Sequence, residues 1–200
     1  SLESKVPITS STVFPLASNT KPFTAMSVLL AAERSLQSLD DEVAKYLVLA
    51  TRKGIVKKTE FAHYNTPLKS EGIIAVNLRE GDELVDAFLT HGEDDVLLVS
   101  RKGQAIRFPN GAVRSMGRVT GGVIGMKLRP GDEVIAAMIA DDNADLLVVT
   151  VNGYGKRTRM SGYPRKGRGG MGVQTVKLTE AKGQLAGALP VREGYQVMLI

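Results

Sequence analysis

The stretch "YLVLATRKGIVKKTEF", Tyr46–Phe61, returns twice further along the chain, as "DVLLVSRKGQAIRFPN", Asp95–Asn110, and "DLLVVTVNGYGKRTRM", Asp145–Met160. Each version runs four apolar residues into a Thr or Ser, then two variable residues, a glycine (Gly54, Gly103 or Gly153), and basic residues three or four places later. A second phrase follows each one: "EGIIAVNLREGDEL", "GGVIGMKLRPGDEV" and "MGVQTVKLTEAKGQL". In these, Gly72, Gly122 and Gly172 recur at 50-residue intervals, as do Leu78, Leu128 and Leu178. Self-similarity at a fixed period marks a repeat architecture, here with units 47–94, 95–144 and 145–194 and a stub at 195–200.

Each unit reads as β structure. Val96–Val99 and Leu146–Val149 are short apolar runs bounded by Asp, Asn and Gly, and the "RKG" and "VNG" corners put glycine where a tight hairpin needs positive φ. Two or more hairpins per unit predict a mainly β protein: a propeller-like array of about three four-stranded blades, since a lone blade cannot bury both faces.

Composition limits the chemistry. The 200 residues are 43% apolar and contain no Cys and two His, which leaves no disulfide framework, no thiolate metal site and no expected cofactor or metal. No apolar run approaches the roughly 20 residues that span a bilayer, and no basic-then-apolar leader opens the chain, so the expectation is a soluble, cytoplasmic protein without a membrane partner.

The net charge of +5 is concentrated toward the C-terminus, where residues 145–200 hold nine Lys or Arg against three Asp or Glu. The fold of a repeat accounts for its glycines and apolar runs, but not, on this reading, for its basic residues. Those are Lys57 and Lys58 in the first unit, Arg107, Arg114 and Arg118 in the second, and Lys156, Arg157, Arg159, Arg165, Lys166 and Arg168 in the third. Equivalent positions in an array fall on one side, which predicts a basic band able to hold duplex DNA by its phosphates. Glycines in "RKGRGGMG" would let backbone N–H groups approach a phosphate.

The phrases "YLVLATRKGIVKKTEF", "GIIAVNLREGDELV", "DVLLVSRKGQAIRF", "SMGRVTGGVIGMKLRPGDEV" and "GYPRKGRGGMGVQTVKL" resemble the C-terminal domain of the DNA gyrase A subunit, over residues 47–200. The resemblance implies a β-pinwheel, a six-bladed array that wraps DNA around a basic rim. Its rim positions here would be Lys57, Lys58, Arg107, Arg114, Arg118, Lys156, Arg157, Arg165 and Arg168. The family's Gln-Arg-Arg-Gly-Gly-Lys-Gly box is absent, with only a partial echo in "GRGGMG", Gly167–Gly172. Strand cleavage and ATP hydrolysis belong to other parts of gyrase. Truncated blades with exposed strand edges would also let the chain associate with itself.

Residues 1–46 carry no repeat. Phe23, Met26, Leu29, Leu30 and Leu36 fall at helical spacing, so this segment is expected to be helical. Ser18 at the mouth of that helix suits an N-cap, but Lys21, three places on, meets the positive end of the helix dipole, where a capping box places Glu or Gln. The same field lowers a lysine pKa, as a general base beside a serine nucleophile requires. "FPLASNTKPFTAMSVLLAAERSLQSLDDEVAKYL", Phe14–Leu47, resembles the nucleophile segment of class C β-lactamases and related penicillin-binding proteins and esterases. That resemblance makes Ser18 the acylated serine and Lys21 its base, with a β-lactam or small ester as substrate. The family's Tyr-x-Asn or Tyr-x-Ser and its Lys-Thr-Gly are missing, leaving Tyr64, His63 or Lys69 as candidate helpers. The chain thus reads as two unrelated fragments joined near residue 47.

Overall fold

The computed structural model describes residues 45–65 and 72–197. The predicted helix, Ser18, Lys21 and Lys69 lie outside the described residues. Eleven strands follow in order: β1 Tyr46–Thr51, β2 Ile55–Glu60, β3 Leu84–Thr90, β4 Asp95–Ser100, β5 Gln104–Pro109, β6 Val123–Ile124, β7 Val134–Ile139, β8 Asp145–Thr150, β9 Gly155–Arg159, β10 Val173–Gln174 and β11 Leu185–Val191.

The repeated phrase folds into the expected hairpin in every unit. Gly54, Gly103 and Gly153 sit at φ 79°, 81° and 80°, and each donates its N–H to the carbonyl of Thr51, Ser100 or Thr150 at 3.0 Å. A β-branched residue there would carry the strain of left-handed backbone, so glycine is what closes the corner. The Thr or Ser before the corner has its own task. Thr51 Oγ1 donates to Asp82 Oδ2 at 2.7 Å and Ser100 Oγ to Asp132 Oδ2 at 2.7 Å, while the other carboxylate oxygen accepts the Lys53 or Lys102 backbone N–H at 2.9 Å. The hairpin tip is thereby clasped to the "GDE" turn that starts the next strand. In the third unit Lys182 follows Ala181 where Asp would stand, and Asn152 Nδ2 donates to the Ala181 carbonyl at 2.8 Å instead.

Sheet composition differs from the one-unit, one-blade expectation. The three sheets run β3-β1-β2-β6, β10-β5-β4-β7 and β11-β8-β9. The fourth strand of the first sheet is β6, from the second unit, and that of the second is β10, from the third. A unit therefore supplies three strands to its own sheet and one to the sheet before it. The physical reason is that the Gly-Val phrase follows a crossing segment, residues 114–122 or 164–172, that has already carried the chain onto the neighbouring sheet, where Met116 N–H bonds the Lys58 carbonyl at 2.9 Å and Lys166 N–H the Arg107 carbonyl at 2.8 Å.

Alternation within β4 shows where the cores lie. Val96 and Leu98 join Val56, Phe108 and Met126 between the first and second sheets, while Leu97 and Val99 join Leu146, Val148 and Leu185 between the second and third. All six β4 residues are buried because both faces of the middle sheet are covered, which is why Val96–Val99 is continuously apolar. Fully burying each Leu or Val contributes about 1.5–3 kcal/mol.

Between the first and second sheets, the Asp86 carboxylate on β3 accepts the Ala137 N–H on β7 at 3.0 Å. Burial raises its pKa to about 6, and that hydrogen bond only partly offsets the shift. A carboxyl with a raised folded-state pKa stabilises the fold below its unfolded value, and the advantage is lost as pH rises through about 6. Asp86→Asn keeps an acceptor for Ala137 and removes the buried charge. We expect it to raise stability at pH 8 by about 2–3 kcal/mol in urea titrations and to flatten the pH dependence between about 4 and 6.

Candidate nucleic-acid interface

The basic residues singled out in the sequence fall into three groups. In the first are cations that the fold itself uses. Lys57, 1% exposed, sends its ammonium to the carbonyls of Ala75 at 2.6 Å and Arg118 at 2.5 Å. Burial, then the charge of Arg118, lowers its pKa to about 8. Lys58 donates to the Asn110 carbonyl at 2.9 Å and lies over the Tyr46 ring at 4.9 Å; burial, then Lys45, lowers its pKa. Arg107 occupies the same repeat position in the second unit. It pairs with Asp95 at 2.8 Å and Asp142 at 2.6 Å and reaches the Met160 carbonyl at 3.3 Å.

These three correct the expectation that folding makes no use of the basic residues. A buried ammonium is tolerated because carbonyl oxygens from two segments replace its water, so the charge becomes a tie between chain segments. The third unit repeats the scheme in the open: Lys156 bonds the Thr175 carbonyl at 2.8 Å, and Arg157 pairs with Asp145. Both are exposed.

The second group stitches each crossing segment to the unit before it. Arg118 Nη1 donates to the Ile74 carbonyl at 2.7 Å; Arg168 donates through Nε to Ala112 at 2.8 Å and through Nη1 to Ile124 at 3.1 Å. Arg165 pairs with Asp95 at 2.8 Å, which Arg107 also holds. Arg165 and Arg168 nonetheless remain exposed, each with part of its guanidinium uncommitted.

The third group is exposed and makes no ion pair or side-chain hydrogen bond among the described residues: Arg114, Arg159 and Lys166. The family resemblance carries over only the first of them. Lys166 is legible as part of an acid-free run but has no counterpart cation in the second unit, where Met116 stands. Arg114 and Lys166 lie on equivalent crossing segments, in stretches 110–131 and 146–179 that contain no Asp or Glu. The exposed cations thus lie on the crossing segments, with Arg114, Arg165, Lys166 and Arg168, and on β9, with Lys156, Arg157 and Arg159. Tyr64, one of the candidate helpers, donates its hydroxyl to the Ala75 carbonyl at 3.2 Å, beside Lys57, and burial raises its pKa.

The family model for the DNA gyrase C-terminal domain, beta-propeller, matches residues 45–91, 94–141 and 144–192, one match per unit. The chain belongs to this family. The DNA gyrase A protein of Streptomyces coelicolor is 44% identical over 168 residues, covering 80% of this chain and 20% of that protein. The chain thus spans about a fifth of the length of the curated relatives it matches. A solved C-terminal domain of DNA topoisomerase IV superposes with a TM-score of 0.72 at 28% identity, over 78% of this chain and 49% of that one. A solved DNA gyrase A C-terminal domain gives 0.66 at 33% identity, over 74% and 49%. A second family model, Beta-lactamase, matches residues 1–66 weakly and overlaps the first gyrase-type repeat. Among the described residues no helix is long and apolar enough to cross a membrane.

The split between fold-bearing and uncommitted cations in this gyrase-type domain is measurable. Lys57→Met keeps the apolar stem but leaves the Ala75 and Arg118 carbonyls without their donor, and should cost about 1–3 kcal/mol in chemical denaturation. Arg114→Ala should stay within about 0.5 kcal/mol of the parent.

Proposed function

We propose that the chain is a DNA-binding module of a gyrase-type topoisomerase that works in the cytoplasm, and that it holds duplex DNA by its phosphates along the two crossing segments. The observation carrying this is that Arg114, Arg165, Lys166 and Arg168 stand exposed on equivalent, acid-free segments, while Lys57, Lys58 and Arg107 are absorbed by the fold. Such a surface contacts phosphates without reading bases, so affinity should be largely independent of sequence and steeply dependent on salt. Lys57, Lys58 and Arg107 support the blades that carry this surface.

Fluorescence anisotropy with a labelled duplex tests the reading. Affinity should fall steeply between about 50 and 200 mM salt, and Arg114→Ala and Lys166→Ala should each reduce the slope of log K against log salt by about 1. Binding that ignores salt, or a double variant with unchanged slope, refutes it.

A second reading rests on the Beta-lactamase match at residues 1–66. It makes the chain a fusion in which Ser18 is acylated by a β-lactam or small ester with Lys21 as base. Incubation with a chromogenic cephalosporin followed by intact-mass measurement should then show an adduct that Ser18→Ala lacks. An unmodified parent chain ends that reading.

A further inference from the structure

The three sheets leave two halves of one joint unmatched. Within the chain the joint occurs twice. At the first, β6 pairs with β2 through Val123 opposite Val56 and Ile124 opposite Ile55, and Gly125 N–H bonds the Gly54 carbonyl at 2.8 Å. At the second, β10 pairs with β5 through Val173 opposite Ala105 and Gln174 opposite Gln104, and Thr175 N–H bonds the Gly103 carbonyl at 2.9 Å. The equivalent acceptor in the third sheet is the edge of β9 beside Gly153, and no strand lies on it among the described residues. The equivalent donor is Gly72–Ala75 of the first unit, which pairs with no strand among the described residues.

The glycines carry the same mismatch on both sides. A Cβ at Gly54 or Gly103 would lie 2.5 Å or 2.9 Å from the Met126 or Val176 carbonyl oxygen. One at Gly122 or Gly172 would lie 2.6 Å or 2.2 Å from that of Val56 or Ala105. At Gly153 and at Gly72 there is nothing within 4 Å among the described residues, although the backbone holds the same positive φ of 80° and 75°. The leucine that follows each donor behaves likewise. Leu128 and Leu178 pack against the cores and approach Gly54 and Gly103, whereas Leu78 is 41% exposed.

We propose that a second copy of this chain supplies the missing strand: Gly72–Leu78 of each copy adds to the β9 edge of the other. By register, Ile73 would lie opposite Gly155, Ile74 opposite Tyr154, and the Ala75 N–H would reach the Gly153 carbonyl. Donor and acceptor lie at opposite ends of the row of sheets, so the contact is head-to-tail, and such contacts either form rings or propagate. A pair closes as six sheets, within the four to eight blades of propeller-like rings. One chain matches 49% of the solved topoisomerase IV domain, so an array of that size has room for a second set of three sheets. The proposal does not rest on the DNA-binding reading.

Light scattering of the full 200-residue chain after size exclusion, without DNA, decides the matter. The expected result is twice the monomer mass. Gly72→Ala disables the donor and Gly153→Ala the acceptor, because each added Cβ meets a carbonyl of the other copy, and each should halve the mass. Mixing the two variants leaves one intact joint per pair and should bring the dimer back, which misfolded variants would not do. Leu78→Asp, at an exposed position, provides a second donor-side variant. A monomeric parent overturns the proposal, as does a mass that keeps growing with concentration. Slow amide exchange along β9 in a monomer would assign the edge to the chain's own residues 1–44 and also overturn it.

Discussion

Two backbone-paired residues in each of the first two sheets, Val123–Ile124 on β2 and Val173–Gln174 on β5, hold this array together, because they oblige the second and third units each to complete the sheet before it. Two-residue strands are too short to be stable alone. They persist because the crossing segment is fixed at its other end by backbone bonds to β2 or β5, and because the glycine opening each strand lets its backbone approach a neighbouring carbonyl more closely than any side chain allows. The order of the sheets, the covering of both faces of β4 and the direction in which the crossing segments run all follow from that one exchange.

The same exchange explains why so many cations are engaged internally. Where two units meet, long basic side chains of one bond carbonyl oxygens of the other: Lys58 to Asn110, Arg107 to Met160, Arg118 to Ile74 and Arg168 to Ala112. Lysine and arginine suit the work because their apolar stems pack against the strands while the head reaches across the seam. The singled-out cations that stay exposed lie on the crossing segments and on β9.

The hairpins, their glycine corners and the mainly β class are readable in the sequence, since each depends on residues within ten of one another: Thr51 and Gly54, or Ser100 and Gly103. The origin of the fourth strand is not, because nothing in "GGVIGMK" states whether the strand returns to its own sheet or moves to the previous one. The functions of the cations are hidden for a related reason. Lys57 and Lys58 look alike in sequence to Arg114, and only the distance to Ala75, Arg118 and Asn110 separates a tie from a free charge. Asp82 and Asp132 are visible in sequence only as polar turn residues, although each closes a clasp across about thirty residues of chain.

The buried lysines of β2 have a meaning during synthesis that the finished fold conceals. The β1–β2 hairpin is complete once Glu60 has been made, yet its outer edge stays open until Val123 and Ile124 emerge, a wait of seconds at roughly 5–20 residues per second. An open, apolar edge on a nascent chain invites pairing with other chains, and charged side chains, lysine above all, are the usual deterrent. Lys57 and Lys58 can thus act first as guards of an unfinished edge and afterwards as the ties that seal it.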